Sequence, residues 1–584
     1  MTDDRSRSHT PVPGEIAVST TAERLASRGP HAVAARHAAL ATLSAEAFDL
    51  VVIGGGITGA GVAREAALAG WRVALLERDD FACGTSSRSS RLVHGGVRYL
   101  EHGHFSLVFE SIRERQRLLQ LAPHLVRPLA FTWPVYRGAR VPRWKLQAGL
   151  FLYDALAMFR SEHRHQGLSA MQVLNAEPAL ERDALVGGAR YWDAATDDSR
   201  LTLTSVIAAR DEGAMTVNHA SVVGGVRSGP GARLTGVSVE DRLTGATFSV
   251  SARVVVNATG PWSDATAALT GRAQGTHVLG SAGTHVAVPR NRLGNNDAVT
   301  LVSPVDGRVM FVLPSGVHTI IGTTEHAARS GPDDIRATEQ DIAYLLRSVN
   351  LRFPNAQLTT DDVVSAWAGI RPLAIARAGE RSANTASREH AITHRDDGLV
   401  SVTGGKLTTY RSMAADVVQH AFTELARADT LVGARPRPTN ARSTSERLPG
   451  GDMISREQGI RDARDTVHDA AVAERLVLAF GSRWRNVWSY AQRDPSLARR
   501  LVDDLPYLTA EVPHAVEREM ACSLADVLVR RTHIAFETRD HGRGVARRIA
   551  PLMAALLQWS DAEREAHLAE YDAEIERVFG IDMI

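Results

Sequence analysis

Apolar positions along the chain fall in two rhythms, and each predicts a different kind of element. Phe48-Asp49-Leu50-Val51-Val52-Ile53 is a near-continuous β-branched run that stops at Gly54-Gly55-Gly56-Ile57-Thr58-Gly59. Such runs belong to strands buried on both faces of a parallel sheet. Helix-forming residues follow over 60–69, Gly70 closes them, and Trp71 to Glu77 predicts a second strand. That is a complete βαβ unit. Further strands are expected at 221–226, 234–239, 247–258, 309–313 and 318–322. Helices are expected at 31–47, 105–121, 146–160, 202–212, 339–353 and 410–425. The mixture persists to about residue 425. Residues 432–451 are rich in Pro, Arg, Thr, Ser and Gly and read as a linker, and helical periodicity dominates 452–584. The first twenty residues mix Ser, Thr, Pro and charges without period and read as disordered. The expected organisation is therefore an N-terminal extension (1–46, partly disordered), an α/β body (47–431), a linker (432–451) and a helical C-terminal domain (452–584).

Composition narrows this picture in three ways. The chain has 584 residues with 67 Lys+Arg against 66 Asp+Glu, a net charge of +1. A mainly electrostatic nucleic-acid binder would carry a clear basic excess. The two cysteines, Cys83 and Cys522, exclude a disulfide scaffold or a zinc ribbon and suit a reducing compartment. No run approaches the ~18 apolar residues of a membrane-spanning helix, and the polar start, Met1-Thr2-Asp3-Asp4-Arg5, lacks the apolar core of a secretory signal. The expectation is an intracellular protein, with association at a membrane surface left open.

The strongest chemical signal is Gly54-x-Gly56-x-x-Gly59, because it follows a buried strand and opens a helix. Gly54 makes the tight turn, Gly56 admits a pyrophosphate to the backbone, and Gly59 lets helix and sheet pack closely. The helix N-terminus adds free N–H groups and partial positive charge. Glu77 closes the second strand about twenty residues on, where a carboxylate can accept from a ribose diol. The fingerprint does not separate NAD from FAD, but the next segment does. Cys83 to Leu100 holds five Ser or Thr hydroxyls and three glycines between charged groups. Hydroxyls and amides of this density suit the pyrophosphate, ribitol and isoalloxazine edge of an extended FAD.

With these motifs in hand the chain closely resembles the FAD-dependent glycerol-3-phosphate dehydrogenases, within the D-amino-acid-oxidase-like flavoproteins. The matching segments are Ile53 to Gly61, Thr85 to Glu101, Asp197-Asp198-Ser199-Arg200-Leu201, Asn257-Ala258-Thr259-Gly260-Pro261-Trp262, Ile321-Gly322-Thr323-Thr324, Gly369-Ile370-Arg371-Pro372-Leu373, Ser387-Arg388-Glu389-His390 and Thr403 to Arg411. They run in order from Asp49 to about Arg411. The long N-terminal extension departs from the shorter bacterial pattern. The resemblance implies a Rossmann-type FAD-binding domain with an interleaved mixed-sheet substrate domain and a helical C-terminal domain. It implies non-covalent FAD, oxidation of sn-glycerol 3-phosphate to dihydroxyacetone phosphate by hydride transfer from C2 to flavin N5, and electrons passed to a quinone. It also implies a cytoplasmic enzyme that can bind the inner membrane surface peripherally. The helical domain is a candidate for homodimer contacts.

Carried residue by residue, the expected FAD site comprises Gly54, Gly55, Gly56, Thr58, Gly59, Glu77, Thr85, Ser86, Ser87, Ser89, Ser90, Leu92, His94, Gly95, Gly96, Val223, Ala258, Thr259, Gly260, Trp262, Gly405, Lys406, Leu407 and Thr408. The substrate is a small dianion, and Arg forks suit its phosphate through paired hydrogen bonds. The expected set is Arg98, Tyr99, Arg371, Arg388 and Lys406. Oxidation at C2 also needs a proton acceptor with a pKa near working pH, which favours His94. Arg371 is the competing candidate, better cast as a stabiliser of the developing alkoxide.

Other features weigh less. His102-x-His104 does not belong to a recognisable ligand set, so no catalytic metal is expected. Covalent flavin attachment at Cys83 is not typical of the family. Arg140 to Lys145 precedes the apolar stretch 146–159, which reads either as an ordinary core helix, the favoured view, or as an interfacial segment. Two rival functions stay open: an amine or amino-acid oxidase of the same fold, and a flavin-dependent RNA-modifying or RNA-binding protein. The second needs a basic tail with exposed aromatics, whereas 561–570 mixes acids and bases.

Overall fold

The computed structural model describes residues 31–158, 163–271, 278–328, 330–374, 389–428 and 436–583, without the side chains of residues 31, 98, 102, 279 and 428. The run that ends at the glycines is the central strand Ala47–Ile53. It pairs in parallel with Val73–Leu76 on one side and Thr247–Asn257 on the other. From one edge the strand order is His390–His394, Leu399–Gly404, Thr247–Asn257, Ala47–Ile53, Val73–Leu76 and Met215–Val217. Only the first of these is antiparallel to its neighbour. Ala220–Arg227 and Leu234–Asp241 continue from Thr247–Asn257 as an antiparallel flap.

Side chains alternate along a strand, so both faces of the central one must be covered. Leu50 and Val52 pack beneath the helices Ile57–Leu68, Asp198–Asp211 and Tyr410–Ala428. Val51 and Ile53 face the other way, toward the flap and the helix His31–Ala45 through Leu43. This explains why six of the strand's seven residues are buried. Arg36 pins the N-terminal helix, donating to Asn218 O at 2.8 Å and to Asp241 at 2.6 Å.

A second, ten-stranded sheet carries four long strands that periodicity alone missed: Arg127–Tyr136, Leu185–Ala195, Val278–Pro289 and Ser365–Ala374. Each contains Pro or paired glycines, such as Pro128, Pro134, Gly187, Gly188, Gly280, Gly283 and Pro372. These break the alternating pattern that marks a strand. Val278–Pro289 and Ser365–Ala374 pair antiparallel over ten residues. The other expected elements form within a few residues of the positions read from the pattern, and Phe105–Leu121 and His318–Gly322 coincide with it.

Helices from Arg456–Val467 to Asp561–Phe579 build the C-terminal region, with a small hairpin of Arg500–Val502 and Leu505–Leu508. Its apolar residues share one core with Phe131, Trp133, Tyr191 and Trp367 of the second sheet. Buried ion pairs tie the same helices to the first sheet's side: Arg200 grips Glu519 through two bonds of 2.7 and 2.8 Å, and Arg530 and Arg531 both meet Asp80. Residues 436–451 are packed rather than extended. Arg64 donates to Glu446 O at 2.8 Å, and Arg442 donates to Leu68 O at 3.1 Å.

Candidate active site

Four parallel strands end at one cleft of about 600 Å3 between the two sheets. Its wall takes Ile53 and Gly54 from the first, Leu76 and Glu77 from the second, Ala258 to Trp262 after the third, and Gly404 to Thr408 after the fourth. Ligands of open α/β sheets bind outside these carboxyl ends. Gly54 has φ +102°, and a Cβ there would lie 2.8 Å from Ala258 O. At Gly59 a Cβ would sit 1.9 Å from Gly54 O, so the strand-to-helix turn closes only with glycine. No side chain caps the helix Ile57–Leu68, whose N-cap is Gly56.

The hydroxyl-rich segment lies along this mouth. Ser86 Oγ accepts from Ile57 N–H at 3.0 Å, which leaves the Ser86 proton available as a donor. Thr85 donates to Ile370 O at 2.6 Å, Ser89 donates to buried Asp198 at 2.7 Å, and Ser90 Oγ lies 2.8 Å from His285 Nε2. Glu77 is buried, and its oxygens accept from Gly55 N–H at 2.6 Å and Asp79 N–H at 2.9 Å. Burial pushes its pKa up. Burial, with Glu77 and Asp79 nearby, also pushes the Cys83 thiol up well above its ordinary value. A thiol held protonated is a poor nucleophile. At this end Arg78 covers the Trp262 ring, 5.2 Å from its centroid.

The wall also carries Lys406 and Arg371. Lys406 Nζ sits 4.0 Å from the Tyr99 ring centroid and donates to Ser111 Oγ at 3.3 Å. Arg371 projects from Ser365–Ala374 and donates to Thr323 Oγ1 at 3.1 Å. Half-buried His94 shares the wall, and its main chain is tied to Thr408 Oγ1 through bonds of 3.1 and 3.3 Å. Behind it the glycine pair is clamped. Gly95 N–H donates to Tyr153 Oη at 2.9 Å and Asp193 Oδ1 at 3.2 Å, while Arg115 grips both partners. A Cβ at Gly95 would meet that Tyr153 oxygen at 2.2 Å.

Most of the residues expected from the sequence meet here. Gly54, Gly56, Thr58, Glu77, Thr85, Ser86, Ser89, Ser90, Leu92, His94, Tyr99, Val223, Ala258, Thr259, Gly260, Trp262, Arg371, Gly405, Lys406, Leu407 and Thr408 all line the cleft. Gly55, Gly59, Ser87, Gly95 and Gly96 instead shape the turns behind it. The Arg98 side chain and the whole of Arg388 lie outside the described residues. Other wall residues lay outside the expected set, His285 and Arg88 among them. His285 is buried against Trp367, with ring centroids 5.6 Å apart. Burial, then Arg371 and Arg91, pull its pKa down to about 3, so the ring is neutral at working pH. Arg88 is also buried, and burial with Arg577 lowers its pKa to about 10. Arg88 stood within a recognised motif, whereas His285 lay in a strand whose glycines hid it.

Clusters that could hold a metal do exist among the described residues, at Glu77, Asp79 and Cys83 and at His219, Cys522 and Asp526. Their donors are committed. Glu77 serves backbone amides, and Asp526 accepts from Cys522 N–H, Ser523 and Arg530.

A glycine-rich turn opening an uncapped helix, a carboxylate at the second strand end and a hydroxyl-lined cleft of cofactor size fit an extended dinucleotide. This combination of fold and site defines an FAD-dependent oxidoreductase, and the family model of that description, FAD dependent oxidoreductase, matches residues 49–411. A second model, the C-terminal domain of alpha-glycerophosphate oxidase, matches residues 441–564. The chain is 35% identical to a glycerol-3-phosphate dehydrogenase of Synechocystis sp., over 91% of this chain and 97% of that one. It is 38% identical to glycerol-3-phosphate dehydrogenase 2 of Mycobacterium bovis, over 93% and 90%. The crystal structure of the Bacillus halodurans glycerol-3-phosphate dehydrogenase complexed with FAD superposes with a TM-score of 0.75 at 30% identity, covering 93% of this chain and 97% of that one. The chain belongs to the FAD-dependent glycerol-3-phosphate dehydrogenase family, and FAD is its cofactor.

Proposed function

We propose that the protein oxidises sn-glycerol 3-phosphate at C2 to dihydroxyacetone phosphate and passes the electrons to a quinone. One observation carries the reading: Arg371, Lys406 and half-buried His94 all line the FAD cleft. Bound FAD supplies the hydride-accepting, two-electron chemistry. The chain's own residues do the rest. Arg371 and Lys406 bind the phosphate dianion, with Arg98, Tyr99 and Arg388 completing the set expected from the motifs. His94 takes the C2 hydroxyl proton, and the Arg371 guanidinium steadies the negative charge that develops on that oxygen. His285 is too weak a base for this task, since it is already neutral and far below working pH. Ser86, Thr58 and the amides at the start of Ile57–Leu68 hold the pyrophosphate, and Lys406 with the amides of 405–408 faces the flavin ring edge.

The same reading divides the chain at 432–451, between the FAD and substrate domains and the helical domain. It also places the enzyme on the inner membrane surface. Among the described residues no helix is long and apolar enough to cross a membrane. The helix Arg143–Leu156 instead exposes Trp144, Phe151 and Leu152, with Met158 beyond it, while Leu146, Leu150 and Tyr153 point into the core. Arg140, Arg143 and Lys145 stand at its N-terminal end, where Arg140 and Lys145 pair with Glu101 at 3.1 and 3.2 Å, a basic edge of the kind that interfacial helices turn to anionic lipid.

Anaerobic titration of the yellow protein with glycerol 3-phosphate tests donor and acceptor together. The visible flavin band bleaches with one equivalent of substrate and returns on adding quinone. Bleaching by amino acids or amines instead assigns the oxidase alternative.

A further inference from the structure

Beyond the cleft, the edge strand of the parallel sheet carries a second cluster of donors. Residues four apart on a strand share a face, so His390 and His394 both look toward the helix Tyr410–Ala428. On that helix Asp416, His420 and Glu424 recur every four residues and share one stripe. The two rows meet pairwise. His390 Nε2 lies 3.1 Å from Asp416 Oδ2, His394 Nε2 lies 2.6 Å from His420 Nδ1, and His394 Nδ1 lies 3.0 Å from Glu424 Oε1.

Glu424 is buried and already held by Arg233 at 3.0 Å and Arg427 at 2.6 Å, so it stays a carboxylate. That carboxylate faces His394 Nδ1, which leaves Nε2 turned toward His420. A carboxylate behind one imidazole nitrogen, with the other aimed outward, is the arrangement that orients and strengthens a metal-binding histidine. Two ring nitrogens this close are joined either by a proton or by an ion. His420 and Asp416 are open to solvent, which gives an ion its path in.

We propose that His394 and His420 bind a divalent transition ion of the zinc, copper and nickel group, with solvent completing its shell and Glu424 as the outer partner that fixes His394. Imidazole suits these ions. Metal–nitrogen bonds of about 2.0–2.1 Å need the two nitrogens to part to roughly 3.3 Å, a small turn of either ring. Binding replaces the hydrogen bond between the two rings. The ion then ties the edge strand to the helix. His390 pairs with Gly404, so the tie acts on the backbone that leads to Gly405 and Lys406. This proposal does not depend on which substrate the cleft takes.

The test uses the full-length FAD-loaded protein and compares wild type with His394→Gln, His420→Gln, the double variant and Glu424→Gln. Flavin content and far-UV circular dichroism report folding. Equilibrium dialysis against Zn2+ is expected to give wild type one more tightly bound equivalent than the double variant, and Glu424→Gln an affinity about 10–100-fold weaker. With Cu2+, electron paramagnetic resonance shows two coordinated imidazoles in wild type and one in either single variant. Equal zinc stoichiometry and affinity in wild type and a folded double variant overturn the proposal. So does a copper spectrum that neither histidine substitution changes.

Discussion

At the scale of single residues, the geometry separates groups that do chemistry from groups that only make room for it. His94 stands on the cleft wall while its turn is fixed through Gly95 to Tyr153 and Asp193. His94→Gln should therefore keep its flavin and lose turnover by about 10²–10⁴-fold, the usual contribution of a general base. Stopped-flow reduction by glycerol 3-phosphate measures this, and wild-type turnover would remove His94 from the mechanism. Arg371→Lys keeps the charge but loses the fork. It should raise KM by about tenfold or more, in line with ~1.5–3 kcal/mol for a charged hydrogen bond. An unchanged KM in steady-state assays would move the phosphate elsewhere. Gly59→Ala brings a methyl into the Gly54 carbonyl. The purified variant is expected to be colourless, and full flavin content would contradict this account of the turn.

At the scale of elements, the helix Asp198–Asp211 joins the FAD sheet to the C-terminal helices. Asp197 caps it by accepting from Arg200 N–H at 2.9 Å, and the Arg200 side chain reaches Glu519. Burial alone would raise the Glu519 pKa, but Arg200 and His514 outweigh it and hold the carboxyl well below its usual range. A depressed folded pKa contributes stability above the unfolded pKa, about 4.3, and that contribution fades as pH falls from there through the folded value. Glu519→Gln should thus melt below wild type at pH 7, and the gap should narrow as pH drops under about 4.5. Thermal unfolding of both proteins across pH 7 to 4 checks the sign, and a gap that widens in acid would refute it. Arg200→Ala leaves a buried carboxylate without its main partner, at a cost of about 3–5 kcal/mol.

At the scale of the whole molecule, the apolar face of Arg143–Leu156 matters because of where it points. The stretch was expected chiefly as a core helix, and half of it is one: Leu146, Leu150 and Tyr153 are buried. The other half is exposed, with Trp144 at 72% and Phe151 at 60%. Trp144→Ser with Phe151→Ser should weaken sedimentation with anionic vesicles by about tenfold or more, since burying one such ring stabilises by ~1.5–3 kcal/mol. Activity with a water-soluble dye acceptor should not change. Undiminished vesicle binding would place the membrane contact elsewhere.

What was legible in the sequence was what short-range rules encode. The strand Ala47–Ile53, the glycine turn, Glu77 and the hydroxyl-rich segment each declare themselves within a few residues, because a buried parallel strand and a phosphate-binding turn impose strict local patterns. Ordered motifs then identified the family and most of the cleft. Tertiary structure alone decided the rest. The second sheet hid behind its own prolines and glycines, and with it His285, whose neutral state arises from burial and from Arg371 on a strand paired with its own. The meeting of His394 with His420 was equally invisible, because residues twenty-six apart become neighbours only when the edge strand and the helix pack. Local sequence fixes what each segment can form, but long-range packing sets which charges and rings stand beside one another, and chemistry depends on that proximity.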